Sequence, residues 1–118
     1  MTERPISQVF QDILETITYL ETFTNGVSFE AFEANPEKLF AVVKAIEIIG
    51  EAVKKIPDET RSQYSQIPWK DIAGMRDILV HNYWRIDSRV VWSTVQDGIP
   101  LLKTAITELA AKFTHDES

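Results

Sequence analysis

The chain has no cysteine, so a disulfide framework, a thiolate nucleophile and a cysteine-ligated zinc site are all excluded. The absence fits a protein of the reducing cytoplasm. Histidine is nearly as scarce, with only His81 and His115, which leaves too few imidazoles for a histidine-rich metal centre. Long apolar runs are missing too. The longest spans Leu39 to Val43, far short of the roughly 20 residues that cross a bilayer, and the N-terminus carries no basic-then-apolar signal pattern. Four glycines and five prolines are too few for a collagen-like or low-complexity chain.

What remains is the composition of an ordinary globular protein: 118 residues, 44% hydrophobic and 25% charged. That length predicts one domain over 1–118 with its core at about 5–113, large enough to fold without a metal or disulfide. Twelve basic against eighteen acidic side chains give a net charge of −6, which argues against broad adhesion to nucleic acid or anionic membrane. The charge is uneven. Residues 61–89 hold Arg61, Lys70, Arg76, Arg85 and Arg89 against Asp71, Asp77 and Asp87, so this stretch is +2 and the rest of the chain −8. A polyanion contact is expected to be local to it.

The hydrophobic periodicity predicts helices throughout. Ile6, Val9, Phe10, Ile13, Leu14, Ile17 and Leu20 recur at spacings of three and four, predicting a helix from about Pro5 to Phe23 that stops at Asn25-Gly26. A short helical or irregular piece follows around Ser28–Ala34. Asn35-Pro36-Glu37 then combines a cap, a first-turn proline and an early carboxylate, and opens a helix to about Lys55 whose apolar stripe takes in Leu39, Phe40, Val42, Val43, Ile46, Ile49 and Val53. A short helix is predicted at Asp58–Gln63. Ile67-Pro68-Trp69 leads into a third long helix through about Tyr83, and Asp87-Ser88 caps a fourth that reaches about Phe113, with Pro100 expected to kink it and the last five residues frayed. No strand-like alternation persists. The fold class is all-α, a bundle of four main helices with a short extra helix.

The third long helix carries an unusual polar cluster, Arg76, Asp77, His81, Asn82 and Tyr83, among apolar Ile72, Met75, Ile78, Leu79 and Val80. Asp77 and His81 are four residues apart, about 40° around the helix, so the carboxylate can fix one imidazole tautomer. Such a histidine can give or take a proton near neutral pH. Arg76 and Tyr83 lie within about 20° of each other, while Arg76 and His81 are about 140° apart. A guanidinium beside the histidine suits phosphoryl chemistry: attack of an RNA 2′-hydroxyl on the adjacent phosphate, with His81 as general base or acid and Arg76 neutralising the transition state. No metal or other cofactor is required. The plainer reading is that Asp77 and His81 form a satisfied i,i+4 pair and that Arg76 pairs with the neighbours of Asp77 or with Glu47 or Glu51 on a packed helix. Tyr83, Trp69 and Trp92 read as packing residues on the same terms, Trp84 borders the motif, and Gly50 and Gly74 are expected to permit close helix approach.

The string Met75-Arg76-Asp77-Ile78-Leu79-Val80-His81-Asn82-Tyr83 resembles the motif of the HEPN superfamily in its HepT-like toxin branch: an arginine, four residues, a histidine, one residue and a tyrosine. Ala45-Ile46-Glu47-Ile48-Ile49-Gly50-Glu51-Ala52, Ile67-Pro68-Trp69, Val91-Trp92 and Ile99-Pro100-Leu101 resemble other segments of that family, so the likeness covers about Ile6 to Leu109. The resemblance implies a HEPN helical bundle and a metal-independent ribonuclease toxin with Arg76 and His81 as the catalytic pair and Asp77 orienting the histidine. It also implies a homodimer with the two motif helices facing across a cleft, which would bring Arg76 of one chain near His81 of the other. Tyr83 matches the residue to which a nucleotidyltransferase antitoxin of the MNT type attaches AMP. The alternative is a non-catalytic HEPN subunit that binds nucleotide or substrate for a nucleotidyltransferase.

Overall fold

The computed structural model describes residues 4–74 and 87–117, with side chains through Phe113, and every regular element among them is helical. Helix α1 (Ile6–Thr24) begins after Pro5, which stands at the cap position, and ends at Asn25 before Gly26, whose φ of 74° lies in the left-handed region that glycine adopts without strain. Helix α2 (Phe29–Glu33) is capped by the Ser28 side chain, which accepts from the Ala31 amide at 3.1 Å. Helix α3 (Pro36–Val53) opens as its sequence predicts, with the Asn35 side chain accepting from the Lys38 amide and proline in the first turn.

Pro57 then starts α4 (Asp58–Arg61), which tightens into a 3₁₀ turn at Ser62–Tyr64. Helix α5 begins at residue 69 and is described through residue 74. After the capping residue Asp87, whose carboxylate accepts from the amides of Arg89 and Val90, α6 (Ser88–Ser93) passes through a π turn (Thr94–Gly98) into α7 (Ile99–Glu117).

Helix α1 is the central strut, packed against α3 on one flank and α7 on the other. Its Phe10, Ile13, Ile17 and Leu20 are completely or almost completely buried, against Ile46 and Ile49 of α3 and Leu102, Ile106 and Leu109 of α7 in one hydrophobic cluster. Polar ties hold the same arrangement: Lys38 Nζ donates to the Phe23 carbonyl at 2.7 Å, and Lys103 pairs with Glu21 at 2.8 Å. Phe29 and Phe32 of α2 pack against Trp92 with ring centroids 6.2 and 5.0 Å apart, so α2 seals the lower end of α6. No helix among the described residues is long and apolar enough to cross a membrane.

Two details differ from the sequence expectation, and a third is a feature the sequence did not signal. Phe40 is exposed, because its side chain lies off the arc occupied by Val42, Val43, Ile46, Ile49 and Val53. The final helix continues past Phe113 to Glu117, there being no glycine or proline after Pro100 to stop it. Pro100 is accommodated by the π turn that precedes it: the Ile99 amide bonds back to the Thr94 carbonyl, five residues earlier, and the widened turn relieves the crowding between a proline ring and the preceding turn.

Candidate functional site

The segment that carries the polar motif is anchored at both ends. On the approach side, the Ile67 amide bonds the Tyr64 carbonyl at 3.0 Å and Ile67 is buried, which turns the chain into Pro68-Trp69. The Trp69 indole then donates to the carbonyls of Arg61 and Tyr64, each at 3.0 Å, clamping the first turn of α5 to the end of α4 and the 3₁₀ turn. An indole has a single N–H, so two carbonyls share it.

One glycine determines how closely this first turn can sit. A Cβ placed on Gly50 of α3 would stand 3.1 Å from the Ile72 carbonyl oxygen and 3.6 Å from that of Ala73, so helix and helix meet backbone to backbone there. On the other flank, a Cβ on Gly98, at the end of the π turn, would meet the Pro68 ring at 3.6 Å. Ile72 is fully buried between the elements so brought together. Around Gly74 no described atom lies within 4 Å of a Cβ position, so the close approach expected at both Gly50 and Gly74 is found at Gly50.

On the exit side Asp87 caps α6, the Ser88 hydroxyl donates to Glu33 of α2 at 3.1 Å, and the Arg89 guanidinium lies 4.8 Å from the centroid of the Phe29 ring. The sequence-predicted site residues Arg76, Asp77, His81 and Tyr83, with Asn82 and Trp84, lie between these anchors in residues 75–86, outside the described residues. Trp69 and Trp92 are packing residues, as their sequence context suggests. Glu47 and Glu51 lie along a groove between α1 and α3, where each meets a lysine on its own helix, Lys44 at 3.8 Å and Lys54 at 3.6 Å.

Two open grooves flank the first turn of α5. One, of about 450 Å³, runs between α5 and α6 with Lys70, Asp71, Gly74 and Arg89 in its walls. The other, of about 600 Å³, lies between the end of α3, α4 and α5, and brings together Lys54, Asp58, Arg61, Ser62, Ser65 and Lys70. Lys70 and Gly74 border both. Sequence reading placed Arg61 and Lys70 in the basic stretch but had no signal for Lys54, which joins them only through the turn at Pro57.

The sequence model of the HepT-like ribonuclease family matches residues 13–109. The chain is 42% identical over 107 residues to the probable ribonuclease HepT of Thermococcus cleftensis, covering 91% of this chain and 97% of that protein. It is 41% identical over 111 residues to a protein of Caldanaerobacter subterraneus whose name carries a provisional RNase assignment, covering 94% of this chain and 96% of the relative. A similarly named protein of Methanocaldococcus jannaschii is 44% identical over 103 residues, covering 87% and 85%. No solved structure matches the chain.

Proposed function

Because the chain belongs to the HepT-like ribonuclease family, we propose that it is a metal-independent endoribonuclease, the toxin of a toxin–antitoxin pair, working in the cytoplasm as a homodimer. The observation that carries this reading is the extent of the family match, residues 13–109, which encloses Arg76, His81 and Tyr83 at the spacing of the motif. The anchoring of the first turn of α5 by Trp69 and Gly50 supports it, since catalytic side chains must be held in place to act on a reacting group.

In this mechanism the His81 imidazole takes the proton of an RNA 2′-hydroxyl, and the 2′-oxygen attacks the adjacent phosphorus. The bond from phosphorus to the 5′-oxygen breaks, and that oxygen leaves with a proton delivered by an imidazolium, giving a 2′,3′-cyclic phosphate and a 5′-hydroxyl. Arg76 neutralises charge on the phosphoryl oxygens as it builds in the transition state. Asp77 holds the His81 tautomer. Tyr83 is the acceptor for AMP from a nucleotidyltransferase antitoxin; the added phosphate and base sit beside Arg76 on the same helix face and compete with substrate phosphate.

The test is cleavage of cellular RNA in excess EDTA by protein produced without its partner, wild type beside His81→Ala. Cutting by wild type alone supports the nuclease. Folded, unmodified protein that binds RNA without cutting it turns the reading to a non-catalytic nucleotide- or substrate-binding subunit.

A further inference from the structure

We propose that the groove between α3, α4 and the first turn of α5 binds the phosphodiester backbone of RNA and leads the strand to the motif helix. The proposal rests on the RNA-cleaving reading above and deepens it by assigning a binding site outside the Arg–His pair.

Charge is the first argument. Three cationic side chains, Lys54, Arg61 and Lys70, line this groove against the single carboxylate of Asp58, on a chain whose net charge is −6. A cation-rich groove on an anionic molecule confines polyanion binding to one place, whereas a uniformly basic surface binds everywhere. The Ser65 hydroxyl on the same wall supplies a neutral donor of the kind that commonly accompanies lysine and arginine on phosphate oxygens, while the Ser62 hydroxyl donates to the Glu59 carbonyl at 2.8 Å.

The state of the cations is the second. Arg61 pairs with Asp58, but that carboxylate is 93% exposed, so the pair is solvent-screened and readily exchanged. Lys54 pairs with Glu51 on its own helix at 3.6 Å, both side chains being about half exposed. Lys70 is exposed and makes no ion pair among the described residues. A phosphate entering the groove meets the exposed Lys70 directly and competes with the solvent-screened Arg61–Asp58 pair.

Position is the third. Lys70 and Gly74 border both this groove and the neighbouring one that holds Arg89, so the two form a continuous track around the first turn of α5. Gly74 precedes Arg76 by two residues. A strand following the track is delivered to the helix on which the proposed chemistry takes place.

The probe is a fluorescent single-stranded 2′-O-methyl RNA, which keeps its phosphates but lacks the nucleophile, so wild-type protein binds it without cutting. Binding is measured across a salt series for wild type, Lys70→Ala, Lys54→Ala with Lys70→Ala, and Lys112→Ala, the last removing an exposed lysine on α7. The expected result is weaker binding and a salt slope shallower by about 0.7 for each groove lysine removed, with Lys112→Ala matching wild type. On cleavable RNA the groove variants raise KM and keep kcat. Unchanged affinity and slope in the double variant, with wild type binding well, overturn the groove and leave the nuclease reading intact. A protein that fails to bind the RNA at all overturns both, while groove-dependent binding without cleavage keeps the groove and removes the nuclease.

Discussion

Gly50 of α3 lies against the backbone of Ile72, with only 3.1 Å between a Cβ position on the glycine and the isoleucine carbonyl oxygen. Alanine in a helix is ordinarily favoured over glycine by about 1 kcal/mol. Here the methyl would meet a backbone oxygen of a fully buried residue, which cannot swing aside as a flexible side chain can. Gly50→Ala is therefore expected to lower stability by about 1–3 kcal/mol in urea unfolding, the range for overpacking a tight contact. Stabilisation instead would show that α5 shifts freely away from α3.

Trp69 links the same turn to the polypeptide before it. Trp69→Phe keeps most of the buried ring but removes the N–H that serves the carbonyls of Arg61 and Tyr64. The expected cost is about 0.5–1.5 kcal/mol, the net worth of a hydrogen bond, since the Tyr64 carbonyl keeps the Ile67 amide as a donor. RNA cleavage measured well below the melting temperature should fall as well if, as proposed, the segment that follows this turn carries the catalytic Arg76 and His81. Full activity at reduced stability would limit Trp69 to holding the fold together.

Much of this architecture is legible in the sequence because local chemistry decides it. Asn35-Pro36, Asp87-Ser88 and Asn25-Gly26 mark helix boundaries through side-chain caps and a left-handed glycine, and the structure places α1, α3 and α6 accordingly. Pro100 is different: its missing amide hydrogen predicts a disturbed helix, and the disturbance includes a π turn just upstream that periodicity does not signal. The groove is the least legible feature. Lys54, Arg61 and Lys70 are far apart in the sequence and meet only because Pro57 ends one helix, the 3₁₀ turn tightens the next and Gly50 admits α5. The motif itself is the reverse case: Arg76, Asp77, His81 and Tyr83 stand out in the sequence and lie outside the described residues.

The N-terminus supplies a pH-dependent contact. The Arg4 guanidinium hydrogen-bonds the Asp12 carboxylate, one bond being 2.9 Å, and this holds the carboxyl below its usual range. A group whose pKa is lower in the folded than in the unfolded state contributes stability above the unfolded value and loses it as pH falls through the folded one. Asp12→Asn should consequently be less stable than wild type at neutral pH, with the gap closing as acid is added below about pH 4. Parallel denaturation midpoints from neutral to acid pH test this, and a gap constant across the range would remove the pair as its cause.

Tyr83→Phe tests the proposed control of cleavage. If AMP attached to this hydroxyl silences the enzyme, Tyr83→Phe should cut RNA at close to the wild-type rate, since the ring remains while the acceptor oxygen is gone. Incubation with the nucleotidyltransferase partner and ATP should then arrest wild type, with a mass gain of one adenylyl group, and leave the variant active. Arrest of both proteins would place the inhibition in complex formation or at another residue.

Helix arithmetic provides the sharpest test of how the site is assembled. At about 100° per residue, a helical motif would set Arg76 and His81 about 140° apart, which is wide for one protomer's site. If each site takes Arg76 from one protomer and His81 from the other, Arg76→Ala and His81→Ala are each inactive, yet a mixed dimer of the two holds one intact pair. Random exchange in an equimolar mixture makes half the dimers mixed, so activity should recover to about a quarter of wild type. A site built within one protomer gives no recovery, because neither variant chain carries both groups. Unfolding and refolding the two proteins together, then measuring RNA cleavage against each refolded alone, distinguishes these arrangements.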